Sequence, residues 1–259
     1  MKKYILDLTI KSVETLHEGY VLLRLTDETA KLPDMIPGQF AEVRVDNSST
    51  TFLRRPISIN YVDKEKNELW LLIHIIGEGT RALSLLKEDG KLNLVFPLGN
   101  GFSIPENKAT TPLLIGGGVG IAPMLYMGKV LKDMGIEPTF LLGARSAADL
   151  LQLDDFNELG CVAITTEDGS MGEKGFVTQH SLLSNKKITN IYTCGPKPMM
   201  MAVAQYAKKN NIACEVSLEN MMACGLGACL CCVEKTVKGN VCVCKEGPVF
   251  NIKDLTWQI

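Results

Sequence analysis

The rhythm of hydrophobic and polar positions changes twice along this chain. Through residues 1–105 the apolar runs are short and punctuated by turn residues: Tyr20–Leu25, Phe40–Val45, Ile57–Val62 and Leu69–His74, the last staying apolar to Ile76. Runs of this length and spacing predict antiparallel strands forming a barrel or sandwich. One short helix is expected after Gly77-Glu78-Gly79-Thr80. Its N-cap would be Thr80, and Ala82, Leu83, Leu85 and Leu86 would form its buried side.

From residue 106 to 215 strands alternate with helical patterns. Pro112–Ile115 reads as a strand that enters Gly116-Gly117-Gly118-Val119-Gly120, followed by a helix over Ala122–Met134. Phe140–Gly143, Cys161–Thr165 and Asn190–Cys194 read as further strands. Lys197–Lys209 reads as a helix with Met200, Val203, Ala204 and Ala207 along one face. Such alternation predicts a Rossmann-like, doubly wound parallel sheet. Residues 216–259 are too few for a core of their own, and so small a module usually needs a metal, a cluster or disulfides to hold it. The expected fold class is therefore an antiparallel β-barrel, an α/β sheet and a small C-terminal module.

Composition then narrows the function. The 259 residues are 46% apolar and 22% charged, enough for a sizeable core. A net charge of −2 gives no reason to expect nucleic acid or an anionic membrane as partner. No run approaches the roughly 20 apolar residues of a membrane span. The opening residues lack the apolar stretch of a signal peptide, so a cytoplasmic protein is expected.

Six of the nine cysteines fall between Cys224 and Cys244. A disulfide framework would be spread along a secreted chain, whereas this clustering points to metal or cluster ligation. Cys224, Cys229 and Cys232 give C-x4-C-x2-C, and Cys244 follows after eleven residues, the plant-type 2Fe–2S spacing. Two sulfide-bridged irons take four thiolates. Gly225 and Gly227 relieve crowding and let N–H groups face the sulfurs. A structural zinc is the alternative, with Cys229 and Cys232 as a half-site. Spacing alone leaves Cys231 open against Cys232, and Cys242 against Cys244. Cys161 and Cys214 are expected as buried core thiols.

Arg54-Arg55-Pro56-Ile57-Ser58 opens a barrel strand. A guanidinium there can neutralise a diphosphate, and a hydroxyl three residues on can reach a flavin edge; a solvated turn is the plainer reading. Gly77-Glu78-Gly79-Thr80, opening a helix, is a second anion site. The glycine run 116–120 lies between strand and helix, where it can admit a dinucleotide or simply make a tight turn. Cys194-Gly195-Pro196 ends another strand at the same sheet edge, and Cys194 can either face a nicotinamide or fill the core. His17, His74 and His180 form no metal or triad pattern, and His17 and His180 are expected at the surface.

These motifs, in this order along nearly the whole chain, resemble the ferredoxin–NADP reductase superfamily. More closely, Leu53–Ser58, Cys224–Cys232 and Cys244-Lys245-Glu246-Gly247-Pro248-Val249-Phe250 resemble the electron-transfer subunits of type B dihydroorotate dehydrogenases. The resemblance implies FAD in the barrel, NAD on the Rossmann-like domain and a 2Fe–2S cluster in the tail. It carries FAD contacts onto Arg55, Pro56, Ile57, Ser58, Leu72, Ile73, His74, Gly79 and Thr80, and cluster ligation onto Cys224, Cys229, Cys232 and Cys244. Gly117, Gly118, Gly120, Cys194, Gly195 and Pro196 are the expected NAD contacts. Two positions depart from the pattern: Ile57 stands where many reductases of the superfamily have tyrosine, and Cys231 where a small residue is expected.

The resemblance also implies a partner subunit that uses FMN to oxidise dihydroorotate for pyrimidine synthesis, in a heterotetramer of two copies of each subunit. Electrons would pass through the cluster and FAD to NAD⁺. A nicotinamide exchanges two electrons and a 2Fe–2S centre one, so the flavin belongs between them. A (β/α)8 barrel of about 250 residues does not fit beside these modules, so the first step belongs to the partner. The same module serving a sulfide dehydrogenase, a hydrogenase or an electron-bifurcating transhydrogenase is the nearest alternative. A zinc-stapled, non-redox nucleotide-binding protein is the remote one. Arg145 and Ser146 can accept a 2′-phosphate, which keeps NADP open beside NAD.

Overall fold

A computed structural model describes residues 2–46, 48–185 and 187–259. Six strands, β1 (Tyr4–His17), β2 (Tyr20–Thr26), β3 (Phe40–Val43), β4 (Arg55–Asp63), β5 (Glu68–His74) and β6 (Lys91–Leu98), close into an antiparallel barrel in the order β1-β2-β5-β4-β3-β6. Strand side chains alternate between faces. Val21, Leu23, Ile57, Ile59, Leu69, Leu71 and Ile73 therefore fill the interior, while Leu22 and Leu72 turn outward. On β4 the same alternation sends Pro56, Ser58 and Asn60 outward.

The short helix α1 (Glu78–Ser84) follows β5, and two expectations about it fail. Its N-cap is Gly77; Thr80 sits one turn in, where its hydroxyl accepts from the N–H groups of Ile76 (3.0 Å) and Gly77 (3.2 Å). Leu83 is buried, but the helix stops at Ser84, so Leu85 leaves the buried face and is 72% exposed. The apolar run of β5 likewise outlasts the strand, and Ile76 lies in the following turn, 77% exposed.

The second unit carries β7 (Pro112–Gly117), α2 (Ala122–Asp133), β8 (Thr139–Ala144), α3 (Leu153–Leu159), β9 (Cys161–Thr166), β10 (Glu173–Lys174), α4 (Leu182–Asn185), β11 (Asn190–Cys194), α5 (Lys197–Lys209) and β12 (Ala213–Ser217). Its strands run parallel in the order β10-β9-β8-β7-β11-β12. Both faces are covered, as parallel sheets require. Leu114, Phe140, Leu142 and Tyr192 pack toward α2 and α3; Leu113, Ile115, Leu141 and Ile191 pack toward α5, where Met200, Val203, Ala204 and Ala207 are buried as expected.

The tail forms a hairpin, β13 (Val233–Thr236) with β14 (Gly239–Cys242), then α6 (Val243–Glu246) and β15 (Val249–Asn251). β15 adds to β12 as an antiparallel edge strand, so the last segment completes the seven-stranded sheet. Cys214 is buried, but Cys161 is exposed because it opens β9 at the strand's solvent end. His17 and His180 are half-buried rather than at the surface, and Nδ1 of His180 accepts from the N–H of Leu182 at 2.9 Å. Among the described residues no helix is long and apolar enough to cross a membrane.

Candidate functional site

The two arginines at the start of β4 have separate work. Arg54 is spent inside the barrel wall: its guanidinium donates to the carbonyls of Glu42 and Asn93 and, at 2.6 Å, to Oδ1 of Asn93. Arg55 bonds only carbonyls of its own turn, those of Leu53 and Arg54, among the described residues. It lies against the start of α1, where a Cβ on Gly79 would be 2.6 Å from its Nε. A guanidinium facing a helix start is a positive cradle of diphosphate type. Ser58 lies outward three residues along. Ile57 is turned into the barrel core, so its backbone rather than its side chain borders this face.

On β5, Leu72 faces outward, Ile73 lies in the barrel core, and His74 stacks on Tyr20 with ring centroids 4.5 Å apart. Burial, and then the charge of Arg145 across the cleft, hold His74 below the ordinary imidazole range, so it is neutral at pH 7. These groups present an apolar wall with a positive end, which fits a flavin nucleotide.

The sheet's carboxyl edge forms the second wall, where ligands bind in open α/β sheets. The glycine run leaves β7, makes a 3-10 turn over Gly118–Ile121 and enters α2. Its closeness is obligatory at Gly120, where a Cβ would lie 2.4 Å from the carbonyl oxygen of Cys194. Cys194 is flanked in register by Gly116 of β7 and Ser217 of β12. Burial pushes its thiol far above the usual range, so it is a neutral thiol and not a thiolate. A cavity of about 110 Å³ opens beside Gly195, lined also by Lys197, Glu219, Asn220 and Trp257. Ser217 and Glu219, both close enough to Cys194 to influence its thiol, were not singled out from sequence. The carboxyl-edge rule points at the end of β12 as much as at β11, and burial raises the Glu219 carboxyl.

The cysteine segment forms one loop and one helix. Cys224 and Cys229 are close enough for their sulfurs to interact, and N–H groups of Leu226, Cys229 and Ala228 face Cys224. Those bonds pull the Cys224 thiol down to about 6. On the inner side, Cys232 and Cys244 are buried, with the Cys244 N–H 3.4 Å from Sγ of Cys232 and the Gly227 N–H 3.1 Å from Sγ of Cys244. Gly225 and Gly227 both have positive φ, and the turns they make bring the N–H groups of Leu226 and Gly227 round to the sulfurs. Among the described residues no three Cys, His, Asp or Glu side chains form a ready-made metal site. The four cysteines stand as two pairs, Cys224 with Cys229 and Cys232 with Cys244, and thiols with N–H groups aimed at them are the donor type that an iron–sulfur cluster takes. Cys231 points to solvent; Cys242 is half-buried, its thiol 3.8 Å from the carbonyl of Gly227.

The three regions adjoin. Phe40 and Leu98, on the outside of the barrel, share a hydrophobic cluster with Cys232, Val243 and Cys244. Phe40 pairs with Ser58, and Glu42 pairs with Pro56. Glu42 is buried, with both carboxylate oxygens unpartnered, against the loop where a Cβ on Gly225 would lie 2.6 Å from its Cγ. The cysteine loop therefore packs on β3, the immediate neighbour, about 4.8 Å away, of the strand bearing Arg55 and Ser58.

A barrel joined to a Rossmann-like sheet, with an anion cradle on one and a glycine loop on the other, defines the ferredoxin-reductase class of flavin oxidoreductases. In the solved structure of an NADH-dependent reduced ferredoxin–NADP oxidoreductase, studied for flavin-based electron bifurcation, a matching chain gives a TM-score of 0.83 at 29% identity, covering 96% of this chain and 90% of that one. A ferredoxin NADP⁺ reductase from Neisseria gonorrhoeae with bound FAD and NADP shares the fold, with a TM-score of 0.64 at 16% identity over 79% of this chain and 91% of that one.

Residues 114–205 match the oxidoreductase NAD-binding domain, and residues 219–256 match the iron–sulfur cluster binding domain of dihydroorotate dehydrogenase B. Proteins named dihydroorotate dehydrogenase B (NAD⁺), electron transfer subunit, are 40% identical in Listeria monocytogenes (95% of this chain, 96% of that one) and 37% identical in Shouchella clausii (95% of each). The Caldanaerobacter subterraneus counterpart is 42% identical over 83% of this chain and 84% of that one. The chain belongs to this family of electron transfer subunits.

Proposed function

We propose that this chain is the electron transfer subunit of an NAD-dependent dihydroorotate dehydrogenase, taking electrons released by dihydroorotate oxidation in a catalytic partner and delivering them to NAD⁺. The observation that carries the reading is the contiguity of three sites: cysteine loop, flavin strand and glycine loop, with one strand between the first two. When bound, FAD supplies the exchange between paired and single electrons that links a nicotinamide to an iron–sulfur cluster.

The residues divide the work. Arg55 neutralises the FAD diphosphate at the start of α1, where Gly79 leaves room and Thr80 fixes the turn. Pro56, Ile57 and Ser58, with Leu72, Ile73 and His74, hold the flavin along β4 and β5, Ser58 supplying a hydroxyl and His74 a neutral imidazole. Gly117, Gly118 and Gly120 let the NAD backbone approach, while Cys194, Gly195 and Pro196 form the floor under its nicotinamide. Cys224, Cys229, Cys232 and Cys244 hold the 2Fe–2S cluster, the first two from the solvent side and the last two from the buried side. Functional units of 1–105, 106–215 and 216–259 follow, although β15 ties the third to the second.

The partner is an FMN-containing catalytic subunit, two copies of each chain forming a heterotetramer. Exposed Met221, Leu226 and Leu230 flank the cysteine loop and give the partner an apolar patch to cover. The test is to purify the chain with that subunit and supply dihydroorotate and NAD⁺ anaerobically. NADH formation that needs both subunits is the expected result; no NADH from an intact, loaded complex overturns the proposal.

A further inference from the structure

The flavin strand and the glycine loop belong to different units, and a polar clasp buried between them joins them close to both. Asn60 is completely buried, two residues beyond Ser58 on the outward face of β4. Its Nδ2 donates to the carbonyl of Ala122 at 3.1 Å and to Oε1 of Gln152 at 3.0 Å, and its Oδ1 accepts from Nε2 of Gln152 at 3.2 Å. Nε2 of Gln152 also donates to Oδ2 of Asp155 at 3.1 Å. Gln152 holds a left-handed backbone, φ 54° and ψ 30°, at the N-cap of α3. Such a conformation is unfavourable for a residue with a side chain and persists where its surroundings fix it.

The clasp lies two residues from the chemistry on each side. Ala122 is the first residue of α2, two beyond Gly120, which is itself pressed against Cys194. Ser58 and Asn60 are about 6.7 Å apart along one strand. One turn on from Ala122, Tyr126 enters the barrel core and donates from its hydroxyl to the carbonyl of Met35 at 2.9 Å, which fixes the helix's depth. Apolar packing resists separation of the units but has little directional preference. Reciprocal amides, one fully buried and the other half-buried, resist sliding, because a shift leaves the buried Asn60 with an unpaired donor or acceptor.

We propose that Asn60, clasped by Gln152, is a positioning residue that sets the glycine loop and Cys194 against the flavin strand. On this account it governs the geometry of hydride transfer between nicotinamide and flavin rather than the binding of either. The proposal rests on the reading of β4 as the flavin strand and of residues 116–120 as the nucleotide loop. Removing the clasp lets α2 slide by a fraction of an ångström to an ångström, a scale at which transfer rates fall steeply.

The test compares wild type, Asn60→Ala, Gln152→Ala and the double variant as FAD- and cluster-loaded complexes with the catalytic subunit. Bound FAD and NAD⁺ affinity are expected to stay within about threefold of wild type. The limiting rate of flavin reduction by NADH is expected to fall about tenfold or more in Asn60→Ala. The double variant should be no slower than Asn60→Ala, as members of one network are not additive. Amide exchange at residues 116–122 should quicken in both single variants, a reading independent of turnover. A limiting rate within twofold of wild type, or unchanged exchange at 116–122, overturns the proposal. If Asn60→Ala does not fold, Gln152→Ala decides on the same two readings, with a slowing of about threefold expected. Wild-type complex that NADH fails to reduce overturns the functional reading and this role with it; normal wild-type reduction beside an unimpaired variant overturns the clasp alone.

Discussion

Gly79 and Arg55 are in close contact: a single methyl group on Gly79 would lie 2.6 Å from Nε of Arg55. The guanidinium thus lies on the first turn of a helix and adds its charge to that turn's own N–H groups. Arg55→Ala is expected to weaken FAD binding about tenfold to a hundredfold, the range for a lost charged hydrogen bond of about 1.5–3 kcal/mol. Gly79→Ala should do the same by displacing Arg55. Flavin fluorescence titration measures both, and iron content should be unchanged because, among the described residues, the Arg55 guanidinium bonds carbonyls of its own turn and no cysteine.

The proposed ligands are told from the spare thiols by their neighbours and not by burial, since Cys229 is as exposed as Cys231. Cys224 and Cys229 interact with each other, as do Cys232 and Cys244. Serine at 224, 229, 232 or 244 is expected to abolish or sharply lower iron and sulfide per chain; serine at 231 or 242 should leave both near wild type. Metal analysis and the visible spectrum of anaerobically prepared protein check this.

The choice of nucleotide turns on the end of β8. There Oδ2 of Asp149 accepts from the Ser146 hydroxyl at 2.8 Å and from its N–H at 3.2 Å. A hydroxyl already engaged by a carboxylate is poorly placed for a 2′-phosphate, and like charges a few ångströms apart cost about 1 kcal/mol or more. NADH should therefore reduce the flavin at least about tenfold faster than NADPH, and Asp149→Ala should narrow that ratio. Stopped-flow absorbance with both nucleotides provides the measurement.

Glu42 gives a pH signature. Burial raises its carboxyl from 4.5 to about 7, only partly offset by Arg54. A group that binds its proton more tightly when folded contributes most stability below 4.5 and loses it progressively up to about 7. Glu42→Gln should thus match wild type near pH 4.5 and exceed it above pH 7. Thermal unfolding across that window checks the sign; a variant no more stable above pH 7 contradicts it.

What the sequence made legible follows the reach of its signals. Strong periodicity placed β11 and α5 at their observed limits, and cysteine spacing pointed to the segment that matches an iron–sulfur cluster binding domain. Local chemistry was less decisive. Thr80 looked like an N-cap because its type favours that place, but Gly77 takes the extended turn and Thr80 caps from inside. Leu85 and Cys161 have apolar character, yet each lies where an element ends or begins and burial stops. Long-range placement had no local signal. Nothing in Val249-Phe250-Asn251 says that it pairs with β12, and nothing in Asn60 or Glu42 says that the fold buries them between units.

The most direct measurement is an anaerobic titration of the purified chain with NADH, following the flavin absorbance and the electron spin signal of the cluster together. The account predicts a yellow-brown protein whose flavin bleaches on addition of NADH while the spin signal of a reduced 2Fe–2S centre appears. A colourless or zinc-containing protein, or a yellow one that NADH leaves unbleached and without a spin signal, would contradict it.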